Sequence, residues 1–289
     1  MIWAHDDPTD WGKNFKRAAD ELKVNCQLFK DDKSVPDGDK AFVRLDQYKD
    51  RRKSSKQMIK RLHQRGVKTL PNLNEAYWYD DKINQLSVLA EYMPETLYIT
   101  DAQHAYEILD DIDYPFVSKT SEGSASKGVR FIVSRHQAEQ EIKDAFGKGL
   151  KTSVYDRVQK GYLYWQEFVQ DNQNDYRVTI CNDIVWALKR FNRDDKPFAS
   201  GSGKIQPVTQ IDENAEKAIR LCLNISKKIN TQFMAYDVVF DGEKPRVLEM
   251  SSAWVTKPAD IPAWDLELNP TDYVLGDMWK KSVELLLKK

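Results

Sequence analysis

The sequence predicts a mixed α/β and α+β protein built from three units, and three observations carry that expectation. Over the first seventy residues, short apolar runs and helical patterns alternate as β-α-β-β-α-β, which argues for a small, mostly parallel sheet. Residues 95–165 place helical patterns on either side of an apolar hairpin, a compact α+β arrangement. From residue 162 onward, longer strand-like runs separated by turn signals indicate antiparallel pairing.

Taken in order, residues 2–5 read as a strand and residues 12–23 as a helix with Phe15, Ala18, Ala19 and Leu22 on one face. Strands follow at 25–29 and 41–45. A helix at 51–65 is closed by Gly66, and a strand at 67–70 stops at Pro71. Residues 74–91 read as one helix containing Asp80-Asp81-Lys82, with Leu86, Leu89 and Ala90 inward. Further helices are expected at 101–109 and 137–146. Antiparallel strands are expected at 163–169, 175–181 and 184–191, the last two joined by Asn182-Asp183. A helix at 215–229, strands at 233–240 and 246–250, and a helix at 276–287 complete the pattern. The expected divisions are 1–80, 81–165 and 166–289.

At 289 residues with 41% hydrophobic content, eight Trp and thirteen Tyr, the chain can bury substantial cores. A net charge of −1 gives no global field for nucleic acid or membranes. The basic cluster Arg51-Arg52-Lys53 with Lys56, Lys60 and Arg61 fits the solvated face of an amphipathic helix. Three widely spaced cysteines, Cys26, Cys181 and Cys222, lack any metal or disulfide spacing and suggest reduced core thiols. The first residues carry no basic and apolar leader, and no run reaches about 18 apolar residues. The expectation is a soluble cytoplasmic protein with no nucleic-acid or membrane partner and a possible homodimeric state.

The stretch 114–129, Tyr-Pro-Phe-Val-Ser-Lys119 followed by Thr-Ser-Glu-Gly-Ser-Ala-Ser-Lys127-Gly128-Val, delivers a lysine to a strand end ahead of a loop of small residues. Gly tolerates positive φ and small side chains leave amides open, so such a loop can approach a polyanion. Ser124, Ser126, Lys127 and Gly128 are the candidate phosphate contacts, together with Lys119. A hairpin with a long flexible tip remains an equal alternative, and the spacing is not that of a Walker loop.

Downstream, if strands 233–240 and 246–250 pair symmetrically about Glu243, Asp237 faces Glu249. Directly opposed carboxylates lie about 4.5–5.5 Å apart at Cβ and repel. They need a cation or a shared proton, and a hard divalent ion suits them. Solvated acids on an edge hairpin are the other reading. Asp175 and Arg177 share a strand face, and Lys189-Arg190 closes the next strand. These cations suit phosphate or a developing acyl phosphate, or they pair with strand neighbours.

In this order the motifs resemble the ATP-grasp superfamily of carboxylate–amine ligases, nearest its glutamate-ligase and lysine-biosynthesis-type subgroup. They run from Asp81-Lys82 through a Pro94-x-Thr96 bend, Tyr-Pro-Phe-Val-Ser-Lys119, the small-residue loop and Gln166-Glu167-Phe168-Val169. Asp175-x-Arg177, Lys189-Arg190, Asp237 and Glu249 follow. The resemblance implies an ATP-grasp fold with an N-terminal βα domain and two α+β subdomains sandwiching the nucleotide. It further implies that Lys82 and Lys119 contact ATP phosphates, residues 120–128 form a lid, and residues 166–169 read adenine. Arg177 and Arg190 would stabilise the acyl phosphate or the substrate carboxylate, with Lys189 near nucleotide or phosphate. Asp237 and Glu249 would hold one or two Mg²⁺ ions, Mn²⁺ being a possible substitute. Relatives carry Glu-x-Asn where this chain has Glu249-Met250-Ser251, so Ser251 becomes the third expected ligand. Residues 200–203 would present a substrate-side loop. The implied reaction joins a small-molecule or peptide carboxylate to an amine, releasing ADP and phosphate. A small-molecule kinase or an inactive nucleotide-binding module are the alternatives.

Overall fold

The computed structural model describes all residues except 47–48, 124–127, 153–157, 194–195, 200–203, 255–258 and 289. Its first sheet is parallel throughout, in the order β2 (Cys26–Phe29), β1 (Ile2–His5), β3 (Lys40–Phe42), β4 (Lys68–Leu70). Helices α1 (Trp11–Glu21) and α2 (Lys49–Gln64) make its crossovers, as the alternating pattern requires. The start of α1 lies directly on the end of β1: a Cβ at Gly12 would sit 1.7 Å from the His5 carbonyl oxygen, so only glycine fits. Buried Asp7 holds this junction by accepting from the Gly12 and Thr9 N–H groups at 2.7 and 2.8 Å.

The expected helix over 74–91 is two helices, α3 (Leu73–Trp78) and α4 (Lys82–Leu89). Asp80 adopts a positive φ of 48° and breaks the run, and the Asp81 side chain accepts from the Asn84 N–H to cap α4. Apolar periodicity continues across the break, which is why the sequence reads as one helix.

The second sheet runs β5 (Thr96–Ile99), β10 (Leu163–Glu167), β6 (Phe116–Lys119), β7 (Val129–Ile132) and is antiparallel. Helices α5 (Ala102–Glu107) and α6 (Arg135–Phe146) cover it with Ala105, Ala138, Ile142 and Ala145. The ribbon β8 (Leu150–Lys151) and β9 (Val158–Gln159) lies between β7 and β10 in the chain. Residues 163–167 therefore belong to this sheet, and the sequence-based division at 165/166 runs through one of its strands.

The third sheet is the largest. Its order is β16 (Lys244–Ser251), β15 (Phe233–Asp241), β11 (Asn174–Cys181), β12 (Ile184–Arg193), β17 (Pro262–Asp265), β18 (Pro270–Val274). β13 (Lys196–Ala199) and β14 (Ile205–Pro207) also pair with β12. One face packs on α7 (Glu213–Ile229) and α4, burying Val178, Ala218, Ile219, Cys222, Ile225, Tyr236 and Met250. The other face meets the first sheet, α1 and α8 (Met278–Leu287) through Phe42, Trp186, Phe233 and Trp254. The three cysteines are buried and free. Among the described residues no helix is long and apolar enough to cross a membrane.

One buried carboxylate ties the first sheet's helices to the third sheet. Glu75 in α3 accepts from Asn72 N–H at 2.8 Å and from Gln232 and Phe233 N–H at 3.1 and 3.0 Å. Burial raises its pKa to about 7 from 4.5, against the three backbone donors. The native state thus keeps a proton that the unfolded chain sheds. The stability this residue contributes is present below about pH 4.5 and is lost as pH rises through about 7. Glu75→Gln is expected to remove that downward slope, worth up to about 3 kcal/mol, in urea unfolding series compared with the parent at pH 4.5–8.

Candidate active site

The second and third sheets bring their charged ends together. Lys119 ends β6 with its side chain buried, at 8% exposure, and its ammonium donates to Gln166 Oε1 at 2.5 Å. That partner is neutral, and Gln166 is oriented by donating its amide to Thr96 Oγ1 at 2.9 Å. Burial lowers the Lys119 pKa to about 8, although Glu249 acts to raise it. Lys82, first residue of α4, is equally buried but paired: its Nζ lies 3.1 Å from Glu249 Oε2. Burial alone would lower its pKa, and Glu249 and Asp80 outweigh it and hold the ammonium above its ordinary range. Two buried lysines therefore sit in one field, one balanced and the other not.

The expected opposition of Asp237 and Glu249 is present, by a route the sequence did not suggest. The turn closes tightly at Gly242-Glu243, with Asp241 opposite Lys244 and φ of 56° at Gly242. This puts Val239 opposite Arg246 and Val238 opposite Val247, one residue from the symmetric register. A β-bulge between Asp237 and Val238 then restores Asp237 opposite Glu249. The bulge thus creates the pairing.

Next to that pair, carboxylates and guanidinium groups alternate. Arg177 grips Asp237 with two hydrogen bonds of 2.8 Å. Arg190 grips Asp175 at 2.7 and 2.5 Å and also reaches Asp237 Oδ2 at 2.6 Å. Burial alone would raise the Asp237 pKa, but Arg177 and Arg190 overcome it and hold its carboxyl well below the carboxylate range. Arg190, desolvated yet flanked by Asp237 and Asp175, is held above its ordinary value.

Lys189 is not part of this cluster. Neighbouring strand residues point to opposite faces, and its Nζ pairs with Asp212 at 3.0 Å on the α7 side, above the Tyr176 ring. The Ser251 hydroxyl is engaged with nearby backbone: its Oγ donates to the Ala253 carbonyl at 2.7 Å and accepts from the Ala253 N–H at 3.2 Å. Residues 166–169 leave β10 beside β6. Glu167 Oε2 accepts from the Glu95 N–H at 3.3 Å, Phe168 packs edge-on against Phe131 at 4.8 Å, and the Val169 carbonyl accepts from Asn172 at 3.4 Å. Ser124, Ser126, Lys127 and the 200–203 loop lie outside the described residues.

The base of the loop is built by residues that sequence reasoning missed. Asp80 Oδ1 accepts from the Gly123 N–H at 2.9 Å and Asp81 from the Ser121 hydroxyl at 3.1 Å, while Gln159 takes the Ser121 N–H at 2.8 Å. Arg52, assigned from sequence to a solvated face, is 5% exposed and ion-paired to both Asp80 and Glu122, the latter at 2.5 Å. Gly128 has φ of 84°, and a Cβ there would lie 2.2 Å from Thr120 Oγ1. This close approach is one only glycine permits.

No family model matches the chain. The α-aminoadipate–LysW ligase LysX of Sulfurisphaera tokodaii is 26% identical over 228 residues, covering 77% of this chain and 73% of that protein. The RimK-domain ATP-grasp protein of Sphaerobacter thermophilus superposes over the full length of both chains with a TM-score of 0.67 at 14% identity. This chain has the ATP-grasp fold. The ATP-grasp ligase PsnB, in a complex with a minimal precursor, Mg and ADP, matches 99% of this chain and 98% of its own at TM-score 0.61 and 14% identity.

The residues fit Mg-nucleotide on this structure's own terms. Lys119 is a buried cation with only a neutral partner, which suits a phosphate oxygen. Glu249, with a side chain 36% exposed, and Asp237 supply hard oxygen donors of the kind Mg²⁺ combines with phosphates. Asp175→Ala is expected to destabilise the protein by about 3–5 kcal/mol, because it leaves Arg190 under-compensated in the interior. Lys189→Ala should cost under about 1 kcal/mol. Urea unfolding of both variants checks the contrast.

Proposed function

We propose that this protein is an ATP-dependent carboxylate–amine ligase that forms an amide through an acyl phosphate, releasing ADP and phosphate. The observation carrying the proposal is the buried, anion-free ammonium of Lys119, set beside Lys82 and the opposed Asp237 and Glu249. The fold shared with ATP-grasp proteins and the relation to LysX support it. Lys119 and Lys82 receive phosphate oxygens, and the strand exit at 166–169 offers backbone groups to the base. Asp237 and Glu249 hold Mg²⁺, which supplies charge neutralisation on the phosphates.

Arg177 and Arg190 have a different task. Both guanidinium groups are fixed in the sheet before substrate arrives, and neither can lose its charge at physiological pH. A carboxylate oriented on this face meets donors that need no reorganisation as negative charge spreads over the transferring phosphoryl group and the new acyl phosphate. The protein supplies positioning and field with no side-chain nucleophile. Asp175 is a positioning residue that holds Arg190.

The relatives include an α-aminoadipate–LysW ligase and a ligase solved in a complex with a precursor peptide, which supports an acid and an amine drawn from amino acids or peptides. ADP release that requires both an acid and an amine, with the amide detected by mass spectrometry, tests the class. A phosphoester product, or ADP release needing only one of them, rejects it. Glu249→Gln is expected to bind Mg-ATP weakly and to reduce ADP release by at least about 100-fold, and unchanged release would reject the metal assignment.

Lys119 adds a pH signature. Its charge is needed for phosphate and is lost as pH rises through about 8, so ATP affinity should fall between pH 8 and 10. In Lys119→Met, calorimetric titration should show weaker binding without that dependence.

A further inference from the structure

The strand that carries Glu249 is the outermost of the third sheet. Among the described strands, β16 pairs with β15 alone, so its outer side presents N–H and C=O groups with no ladder partner. The register adds a second difficulty. The bulge between Asp237 and Val238 separates the tight turn at Gly242 from the Asp237–Glu249 pair, and a bulge bends the strand that contains it. The turn alone therefore does not set where Glu249 lies relative to Asp237. A further constraint on β16 is needed.

Gln85 of α4 supplies it from the outer side. Its side chain is buried, with the residue 2% exposed. Its Oε1 accepts from the Met250 N–H at 3.1 Å, and its Nε2 donates to the Met250 carbonyl at 2.8 Å. The carboxamide thus bonds both backbone groups of one residue, as a neighbouring strand would. Nε2 also donates to the Trp78 carbonyl at 2.9 Å, one of the helix-end carbonyls that α3 cannot satisfy internally. Both donors and the acceptor of the amide are engaged, which is what makes its burial tolerable.

The placement matters because of what else α4 carries. Lys82 precedes Gln85 by three residues, so the two side chains share one face of the helix. Lys82 meets the Glu249 carboxylate, and Gln85 holds the backbone of the very next residue. Neighbouring strand residues point to opposite faces: Met250 packs into the core with α7, while Glu249 meets Lys82. The Gln85 amide, lying along the strand edge, fixes the backbone from which both side chains depart.

We infer that Gln85 is a positioning residue for the metal, holding Glu249 in place relative to Asp237 and Lys82. Without it, the carboxylate would hang from an edge strand whose outer backbone has lost its partners. Groups that orient a metal ligand typically change metal affinity by about ten- to a hundredfold when removed. The inference deepens the ligase reading and rests on it for the role of Glu249 as a magnesium ligand.

Calorimetric titration of the full chain with ADP, across a series of Mg²⁺ concentrations, tests this. ADP affinity of the parent should rise with Mg²⁺. In Gln85→Met the Mg²⁺ concentration giving half of that rise should increase about ten- to a hundredfold, with metal-free ADP affinity unchanged. Gln85→Asn keeps the amide on a shorter stem and should shift the same way by less; it carries the comparison if Gln85→Met does not fold. Ser252 provides the structural control, because its Oγ donates to the Glu75 carbonyl at 3.2 Å and ties the same strand end to α3. Ser252→Ala should lower the melting temperature and leave the Mg²⁺ dependence where it was. An unchanged Mg²⁺ dependence in the Gln85 variants, a matching loss of metal-free ADP affinity, or an equal shift in Ser252→Ala each overturn the inference and leave the nucleotide reading standing. A parent whose ADP affinity ignores Mg²⁺ overturns the metal role of Glu249 and this inference with it.

Discussion

The alternation Asp175, Arg190, Asp237, Arg177 is the constraint on which the site depends. Three strands contribute to it: β11 gives Asp175 and Arg177, β12 gives Arg190 and β15 gives Asp237. Each charge is buried or nearly so, and a buried ion with its partner removed leaves a large uncompensated cost. Sheet register is thereby tied to electrostatics. A slip of one residue in β12 would carry Arg190 to the α7 face and strand both aspartates. Apolar packing on α7 and Arg pairing on the opposite face demand the same register, which is the kind of agreement that makes a fold specific.

That alternation also explains how the site can be rigid and responsive at once. Asp237 is shared between two guanidinium groups, and Glu249 is half-exposed and held by one lysine. A divalent ion arriving with phosphates would share Asp237 with guanidinium groups that keep their places, and would relieve Lys82 of part of its pairing with Glu249. The loop base has a comparable design: Arg52 in α2 joins Asp80 and Glu122, linking the first sheet's helix to the segment that enters the loop. The segment at Glu122 is therefore tied to the N-terminal unit.

Much of this was legible in the sequence. Lys119 ends a strand in an apolar context and precedes small residues, and Asp237 and Glu249 stand in flanking apolar runs, so their special environment shows in the local pattern. The parallel character of the first sheet followed from its alternation. What stayed hidden depends on geometry that local pattern does not carry. The Asp80 break is masked because the apolar period continues through it, and with it went the partner that buries Arg52. Lys189 and Arg190 read as one basic pair, yet a strand sends them to opposite faces. The hydrogen bonds of Ser251 to the Ala253 backbone depend on a turn that the local pattern does not show. The bulge at Asp237 changes register without any glycine to announce it.

The neutral partner of Lys119 has a consequence for the protein as a material. A buried ammonium whose hydrogen-bond partner is an amide is an electrostatic load that the fold carries. On the proposed function, phosphate would do more than occupy the site: it would discharge that load. The ligand is in this sense a missing piece of the interior. The two units meeting at the cleft should be held together most firmly during turnover, when a nucleotide completes their shared core of charge.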